Sequence, residues 1–340
     1  MRIVALVSAP DHVCCRYRVE AFRPWLELAG HSLETVALPR SWPRRWLLFR
    51  RLQGANVLIQ RQLLPAWQLA QLRAGAARLM FDFDDAVFLR DSYATEGLHD
   101  PRKLRRFVAT MRACDAVIAG NAFLAEHATL YADPERVLVI PTCVDETRYP
   151  VSEAKGGDGK ELVWIGSSST LQGIERVTPL LERLGEEIPG LRLKVICDRF
   201  PTFRHLRVVR VPWGETAEAA ELAASDVGIS WVPDDLWSRG KCGLKLLQYM
   251  AAGLPVITNP VGVHREIVLD GETGYLADTP EEWCAAVRRL CGDADRRRGM
   301  GRAGRQRLEA GYSVSIGAQR WGELLGRLER APTSHAGGAA

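Results

Sequence analysis

The apolar residues of this chain fall into two series of short, unbroken runs separated by longer stretches of helical character, and that pattern restricts the fold more than any other feature of its 340 residues. The first series occupies 3–7, 57–59, 79–83, 116–119 and 137–140, with a helix expected near 20–30. The second occupies 162–165, 193–197, 208–211, 227–231 and 255–258. Strands wetted on one side alternate polar and apolar residues, whereas continuous apolar strands are covered on both faces, and intervening helices supply the cover. Each series therefore predicts a parallel sheet in a Rossmann-like α/β domain. The length agrees, since domains average about 150 residues. Between the series, Ser152-Glu-Ala-Lys-Gly-Gly-Asp-Gly-Lys160 has linker composition, which puts the boundary near 155 and the domains at 1–154 and 155–314. Open parallel sheets bind ligands beyond the carboxyl ends of their strands, so two facing domains would share a central cleft.

With 47% hydrophobic and 25% charged residues, the composition is that of a globular domain. A formal charge of +4 is too small to indicate nucleic acid. No apolar run approaches the roughly 18 residues of a membrane span, and the opening Met-Arg-Ile-Val-Ala-Leu-Val turns polar too early for a secretory signal. The expected location is the cytoplasm. Eight cysteines are scattered without Cys-x-x-Cys or zinc spacing, so reduced buried thiols are expected, with no metal and no cofactor. Cys242 is read as filler in its loop.

The densest chemistry lies in Arg239-Gly-Lys-Cys-Gly-Leu-Lys-Leu-Leu-Gln-Tyr-Met-Ala-Ala-Gly-Leu-Pro-Val-Ile-Thr258. This reads as basic loop, helix, glycine stop and buried strand. Lys241 and Lys245 stand where a helix N-terminus offers unpaired N–H groups and partial positive charge, an arrangement suited to an anion. Gln248 follows Lys245 by one turn, within reach of whatever the anion carries. A phosphate with polar groups one turn deeper suggests a nucleoside diphosphate and its ribose.

That block resembles the signature of the family 4 GT-B glycosyltransferases, retaining enzymes that use nucleotide sugars, whose pattern is roughly Glu-Gly-Phe-Gly-x3-Leu-Glu-Ala-Met-Ala-x-Gly-x-Pro-Val-Val. The two glutamates of the pattern fall on Gly240 and Gln248. A subset with a Lys-x-x-Gln/Glu-Tyr-Met-Ala core is closer, with a preceding Pro-Asp-Asp-x-Trp like that at 233–237 and a following Val-Gly-x-x-Arg/Pro-Glu-Ile-Val containing Glu266. Asn121 in Ala-Gly-Asn-Ala and the run Pro141-Thr-Cys-Val-Asp145 also fit its first-domain pattern. The resemblance implies a GT-B fold and sugar transfer from a nucleotide diphosphate sugar to a hydroxyl acceptor. It also implies diphosphate neutralisation by Lys245 with Lys241 or Arg239, ribose binding by Gln248, nucleotide-sugar contact by Glu266, and a helix at 315–330 returning to the first domain. The tail 331–340 has nothing to bury and is expected to be disordered.

Other candidates follow the strand ends. Gly166-Ser167-Ser168-Ser169-Thr170 is either a phosphate-binding turn or a serine-rich N-cap. The wider family grips the diphosphate with Gly-Arg and Lys-Gly there, at positions occupied here by Ser167 and Gln172. Trp213 either stacks on a base or packs in a core, and Asp234 with Asp235 either orient the basic loop or form a solvated turn. In Phe81-Asp-Phe-Asp-Asp-Ala86, carboxylates could hold a cation, act as a base or meet a sugar; the resemblance puts Asp82 and Asp85 on the acceptor side. The Asp-x-Asp start of a haloacid-dehalogenase phosphatase is not completed by later motifs. Arg16 and Arg18, in the expected loop 8–18, and Arg61 are positioned for a phosphate, one of them in a structural ion pair.

The segment 40–51 interleaves arginines with tryptophans and leucines, which suits either an anionic membrane surface or a solvated basic helix. Expected partners are a nucleotide sugar and a glycan, lipid-linked or small-molecule acceptor, with no nucleic acid. A non-catalytic GT-B scaffold and a sugar-nucleotide epimerase are the rivals. A nicotinamide enzyme is disfavoured, because no Gly-x-Gly-x-x-Gly follows the first strand.

Overall fold

The computed structural model describes residues 1–151 and 158–331, so most of the expected linker and the tail from 332 lie outside the described residues. From the amino terminus run β1 (Arg2–Val7), α1 (Val13–Arg18), α2 (Arg23–Leu28), β2 (Ser32–Ala37), α3 (Trp42–Arg51), β3 (Asn56–Gln60), α4 (Ala66–Gly75) and β4 (Arg78–Phe83). There follow α5 (Pro101–Ala113), β5 (Ala116–Ala119), α6 (Ala122–Thr129), β6 (Val137–Val139), β7 (Glu161–Ile165), α7 (Ser168–Arg176), α8 (Thr178–Glu187), β8 (Arg192–Cys197) and β9 (Arg207–Pro212). The remainder is α9 (Glu218–Ala223), β10 (Val227–Ser230), α10 (Leu236–Arg239), α11 (Leu244–Ala251), β11 (Val256–Thr258), α12 (His264–Ile267), β12 (Gly274–Leu276), α13 (Pro280–Gly292), α14 (Ala294–Gly311) and α15 (Val314–Arg330).

These elements form two compact units. The first gathers 1–143, 235–242 and the chain from 314, and the second 144–234 with 243–313. The first unit's sheet has the order β2-β1-β3-β4-β5-β6, all parallel. Its central strands are buried from end to end, because helices cover both faces. One layer centres on Phe81, Phe83, Phe88 and Phe107, and the other closes under Trp321, Leu324 and Leu325 of α15. Residues 13–18, expected within a loop, form α1, with the His12 side chain accepting from Cys14 N at 3.2 Å to cap it.

The second unit's sheet runs β12-β11-β10-β7-β8-β9, also parallel. Strand order reverses between β7 and β10, and such a switch point leaves a crevice at the carboxyl edge. Here β7 and β10 pair through Leu162 and Val163 with Val227 and Gly228, then diverge. Buried Tyr249 spans the divergence, its hydroxyl accepting from Ile165 N at 3.2 Å and donating to Ile229 O at 3.0 Å. Gly228 is required beneath it, since a Cβ would enter the Tyr249 ring. One aromatic side chain thereby fixes α11 to the switch point.

Candidate functional site

In the second unit α11 starts abruptly because Gly243 takes the left-handed conformation at φ 67°, where a Cβ would also strike Ile267. It ends at a Schellman turn, Gly253 N to Met250 O at 3.0 Å and Leu254 N to Tyr249 O at 2.9 Å. The helix carries Lys245 in its first turn and Gln248 one turn on. Lys245 Nζ donates to Thr170 Oγ1 at 3.4 Å and lies 5.2 Å from the centre of the Trp164 ring. Thr170 belongs to the turn after β7, where Ser167 N donates to its Oγ1 at 3.2 Å and Gly166 leaves room beside Trp164. The structure thus brings Lys245 to the Gly166–Thr170 turn.

Gln248 enters a second array. Its Nε2 donates to Tyr149 Oη at 3.2 Å, Tyr149 donates to Glu218 Oε1 at 3.4 Å, and Trp213 Nε1 donates to Glu218 Oε2 at 2.9 Å. Buried Glu218 holds Gln248, through Tyr149, and half-exposed Trp213 in one hydrogen-bonded row. Sequence reading singled out both ends and neither connecting residue. It also missed Asp198, which accepts from Ser168 N at 2.7 Å at the start of α7. Hydrogen bonding from the Ser168 side chain, then from Cys197 Sγ and the Ser168 backbone N–H, holds its carboxyl below the usual range. Glu266 stands exposed on α12.

Arg239 and Lys241 belong to the other unit. Asn121 caps α6 by accepting from Leu124 N at 2.8 Å, while its Nδ2 donates to Gly240 O at 3.2 Å and Lys241 O at 3.0 Å. Ser92 adds a bond to Asp235 at 3.0 Å, so segment 235–242 is held to the first unit and Lys241 is separated by unit from Lys245. Arg239 ends α10 with an exposed side chain.

Along the carboxyl edge of the first sheet the charges are set against one another. Fully buried Arg18 donates to both oxygens of Asp82 and, at 2.7 Å, to Ile140 O. Arg61 reaches Asp84 at 3.3 Å and also bonds Asp85 and Cys14, while Lys241 Nζ lies 3.8 Å from Asp85. Arg61 does this from φ 63°, a strained conformation for arginine. Burial pushes the Asp82 carboxyl up against the pull of Arg18; for Asp84, burial is outweighed by Arg61 and Arg18, which hold it low. Three cations face three carboxylates. Arg16 lies against Tyr17. Burial and Asp84 push the Cys242 thiol upward, so it stays protonated in the loop. Among the described residues no group of three or more His, Cys, Asp or Glu is arranged around a metal-sized position.

The family described as glycosyl transferase-like matches residues 176–325. A D-inositol 3-phosphate glycosyltransferase of Segniliparus rotundus is 27% identical over 235 residues, 60% of this chain and 51% of the relative. A glycogen synthase of Mycobacterium tuberculosis is 26% identical over 219 residues, 59% of this chain and 51% of that one. The chain thus spans about half the length of the curated relatives it matches. Among solved structures, a sucrose-phosphate synthase from Thermosynechococcus elongatus superposes with TM-score 0.74 at 19% identity, covering 97% of this chain and all of that one. Anabaena HepE in complex with UDP and glucose gives 0.70 at 14% identity, covering 96% of this chain and 100% of the other. Two parallel six-stranded sheets and these neighbours together make this a two-domain α/β protein of the GT-B fold, with its glycosyl transferase-like match at 176–325.

Proposed function

We propose that the chain is a glycosyltransferase that moves a sugar from a nucleotide diphosphate sugar to a hydroxyl acceptor, with retention of configuration. The observation that carries this reading is the placing of Lys245 beside the Gly166–Thr170 turn at the switch point of the second sheet. A lysine there neutralises the diphosphate as the glycosidic bond breaks; stabilisation of developing charge is worth about 3 kcal/mol per donor. Gln248 meets the ribose, Trp213 stacks on the base, and the Glu218–Tyr149 row fixes both. The HepE structures containing UDP and UDP-glucose support a nucleoside diphosphate sugar as donor. Glu266 assists at the sugar, and the leaving phosphate takes the acceptor proton, so no separate base or metal enters the scheme.

The first unit is assigned the acceptor: a glycan, a lipid-linked saccharide or a small molecule. Asp85, gripped by Arg61 and Lys241, is its hydroxyl-binding carboxylate, Arg16 contributes a cation, and the Arg18–Asp82 pair is the rigid floor. Segment 40–51 is the part that meets an anionic membrane, in keeping with a peripheral enzyme on an inner membrane face. No described helix is long and apolar enough to cross a membrane.

Isothermal titration with uridine, guanosine and adenosine diphosphates and their sugars tests the reading and names the base. Selective binding of one nucleotide, followed by its release from the sugar when acceptor is added, is expected. Asp198 on Ser168 N favours a second reading, a non-catalytic scaffold whose turn is already capped, and absence of binding by every nucleotide would establish that alternative over the enzyme.

A further inference from the structure

Three helices of the first unit share a composition that their roles in the fold do not require. α3 packs on α4 and α4 on α5, and together they carry ten arginines and lysines and no aspartate or glutamate. The carboxylates met at their ends are Asp115, paired with Arg73, and Asp100, which caps α5. Burial, then the charge of Arg106 on α5, lowers the basicity of Arg45 on α3, so the cations of the outer two helices are neighbours. Large apolar side chains stand exposed among them: Trp42 at 51%, Trp46 at 37%, Leu47 at 52%, Trp67 at 54% and Leu104 at 40%. Trp42 and Trp67 meet edge to face with centroids 5.2 Å apart, joining α3 to α4, and Arg50 lies 4.8 Å over the Trp46 ring.

We propose that α3, α4 and α5 form one docking surface for an anionic lipid bilayer. The charge complementarity is direct, because cations without intervening carboxylates match a phosphate headgroup plane. Tryptophan and leucine tips match the boundary beneath it, where amphipathic rings concentrate. Trp42 and Trp67 begin their helices, and in parallel β–α units helices begin at the carboxyl edge of the sheet. That edge carries Arg61 and Asp85, so a docked bilayer borders the assigned acceptor residues, and the acceptor class this favours is lipid-linked. The proposal deepens the membrane reading of segment 40–51; the preference for a lipid-linked acceptor rests on the assignment of Asp85.

Co-sedimentation of the full chain with phosphatidylcholine vesicles, with and without about one third phosphatidylglycerol, tests it. Binding should require phosphatidylglycerol and weaken with salt. The triple variant Arg44→Gln, Arg50→Gln, Arg51→Gln should lower the partition coefficient on the order of a hundredfold. Trp46→Ala with Trp67→Ala should lower it about tenfold or more while retaining the salt dependence. Unchanged melting temperatures and an unchanged nucleotide titration show that both variants fold. Equal partition onto neutral vesicles, undiminished binding by the triple variant, or no binding at all would overturn the surface. Binding of a short RNA duplex through the same arginines without vesicle binding would overturn it in favour of nucleic acid. Vesicle binding is read without donor or acceptor, so its failure leaves glycosyl transfer untouched, and a failed nucleotide titration leaves the surface untouched.

Discussion

The carboxyl edges of the two sheets carry charge in opposite ways. In the first unit Arg18, Arg61 and Lys241 are set against Asp82, Asp84 and Asp85, and the Arg18–Asp82 pair is sealed from water. In the second, Lys245 meets a hydroxyl and an aromatic ring, and the groups around Gln248 are joined by uncharged donors to one buried glutamate. An internally balanced cluster fixes geometry, because adding an ion to it means breaking an existing pair. The Thr170 hydroxyl and the Trp164 ring are uncharged partners of Lys245. On the function proposed above, the Arg18–Asp82 pair serves structure, whereas the turn beside Lys245 serves recognition of the donor.

Removing one partner of the sealed pair should give the largest effect. Asp82→Ala leaves Arg18 buried without its carboxylate and should cost about 3–5 kcal/mol in urea denaturation. Replacing both by apolar residues, Arg18→Met with Asp82→Leu, should recover most of that, and failure to recover would mean the pair does more than hold the fold. Acid sharpens the same point. Asp84 is held below its unfolded value, so its stabilisation is complete above the ordinary carboxylate range and is lost as pH falls through the depressed value, which Asp84→Asn should remove from the pH profile of stability.

Next in size is Lys245→Ala, expected to lower kcat/KM by about 3 kcal/mol, or two orders of magnitude, with little change in melting temperature. A parallel loss of stability would move Lys245 into the same class as Arg18. Glu218→Gln, which weakens the acceptors for Tyr149 and Trp213, should cost about 1–2 kcal/mol in nucleotide affinity, with Tyr149→Phe smaller and in the same direction. Smallest should be Trp213→Ala, about 1 kcal/mol, and the effect should depend on the base, which separates stacking from packing.

Much of the fold is legible in the sequence because most strands are buried on both faces and read as unbroken apolar runs. β2 does not, since Ser32, Glu34 and Thr35 interrupt an edge strand, and β12 has three residues, too few for a pattern. α1 escapes notice because Val-Cys-Cys-Arg-Tyr-Arg has no helical period and its cap is a histidine. Lys245 and Gln248 could be chosen from their spacing on one helix, and Trp213 from its place at a strand end together with the family resemblance. Glu218, Tyr149 and Asp198 could not, since each acts through a tertiary contact; Tyr149 meets Gln248 across 99 positions of sequence. The division of Lys241 from Lys245 was equally hidden: both lie in one basic stretch, and contacts made by Asn121 and Ser92 assign them to different units.

The measurement that bears most directly on this contrast is calorimetric titration of uridine diphosphate into the wild-type chain, Lys245→Ala and the double variant Arg18→Met with Asp82→Leu. The contrast predicts that Lys245→Ala loses about a hundredfold in affinity while the double variant binds as the wild type does. Equal binding by Lys245→Ala, or loss confined to the double variant, would contradict it.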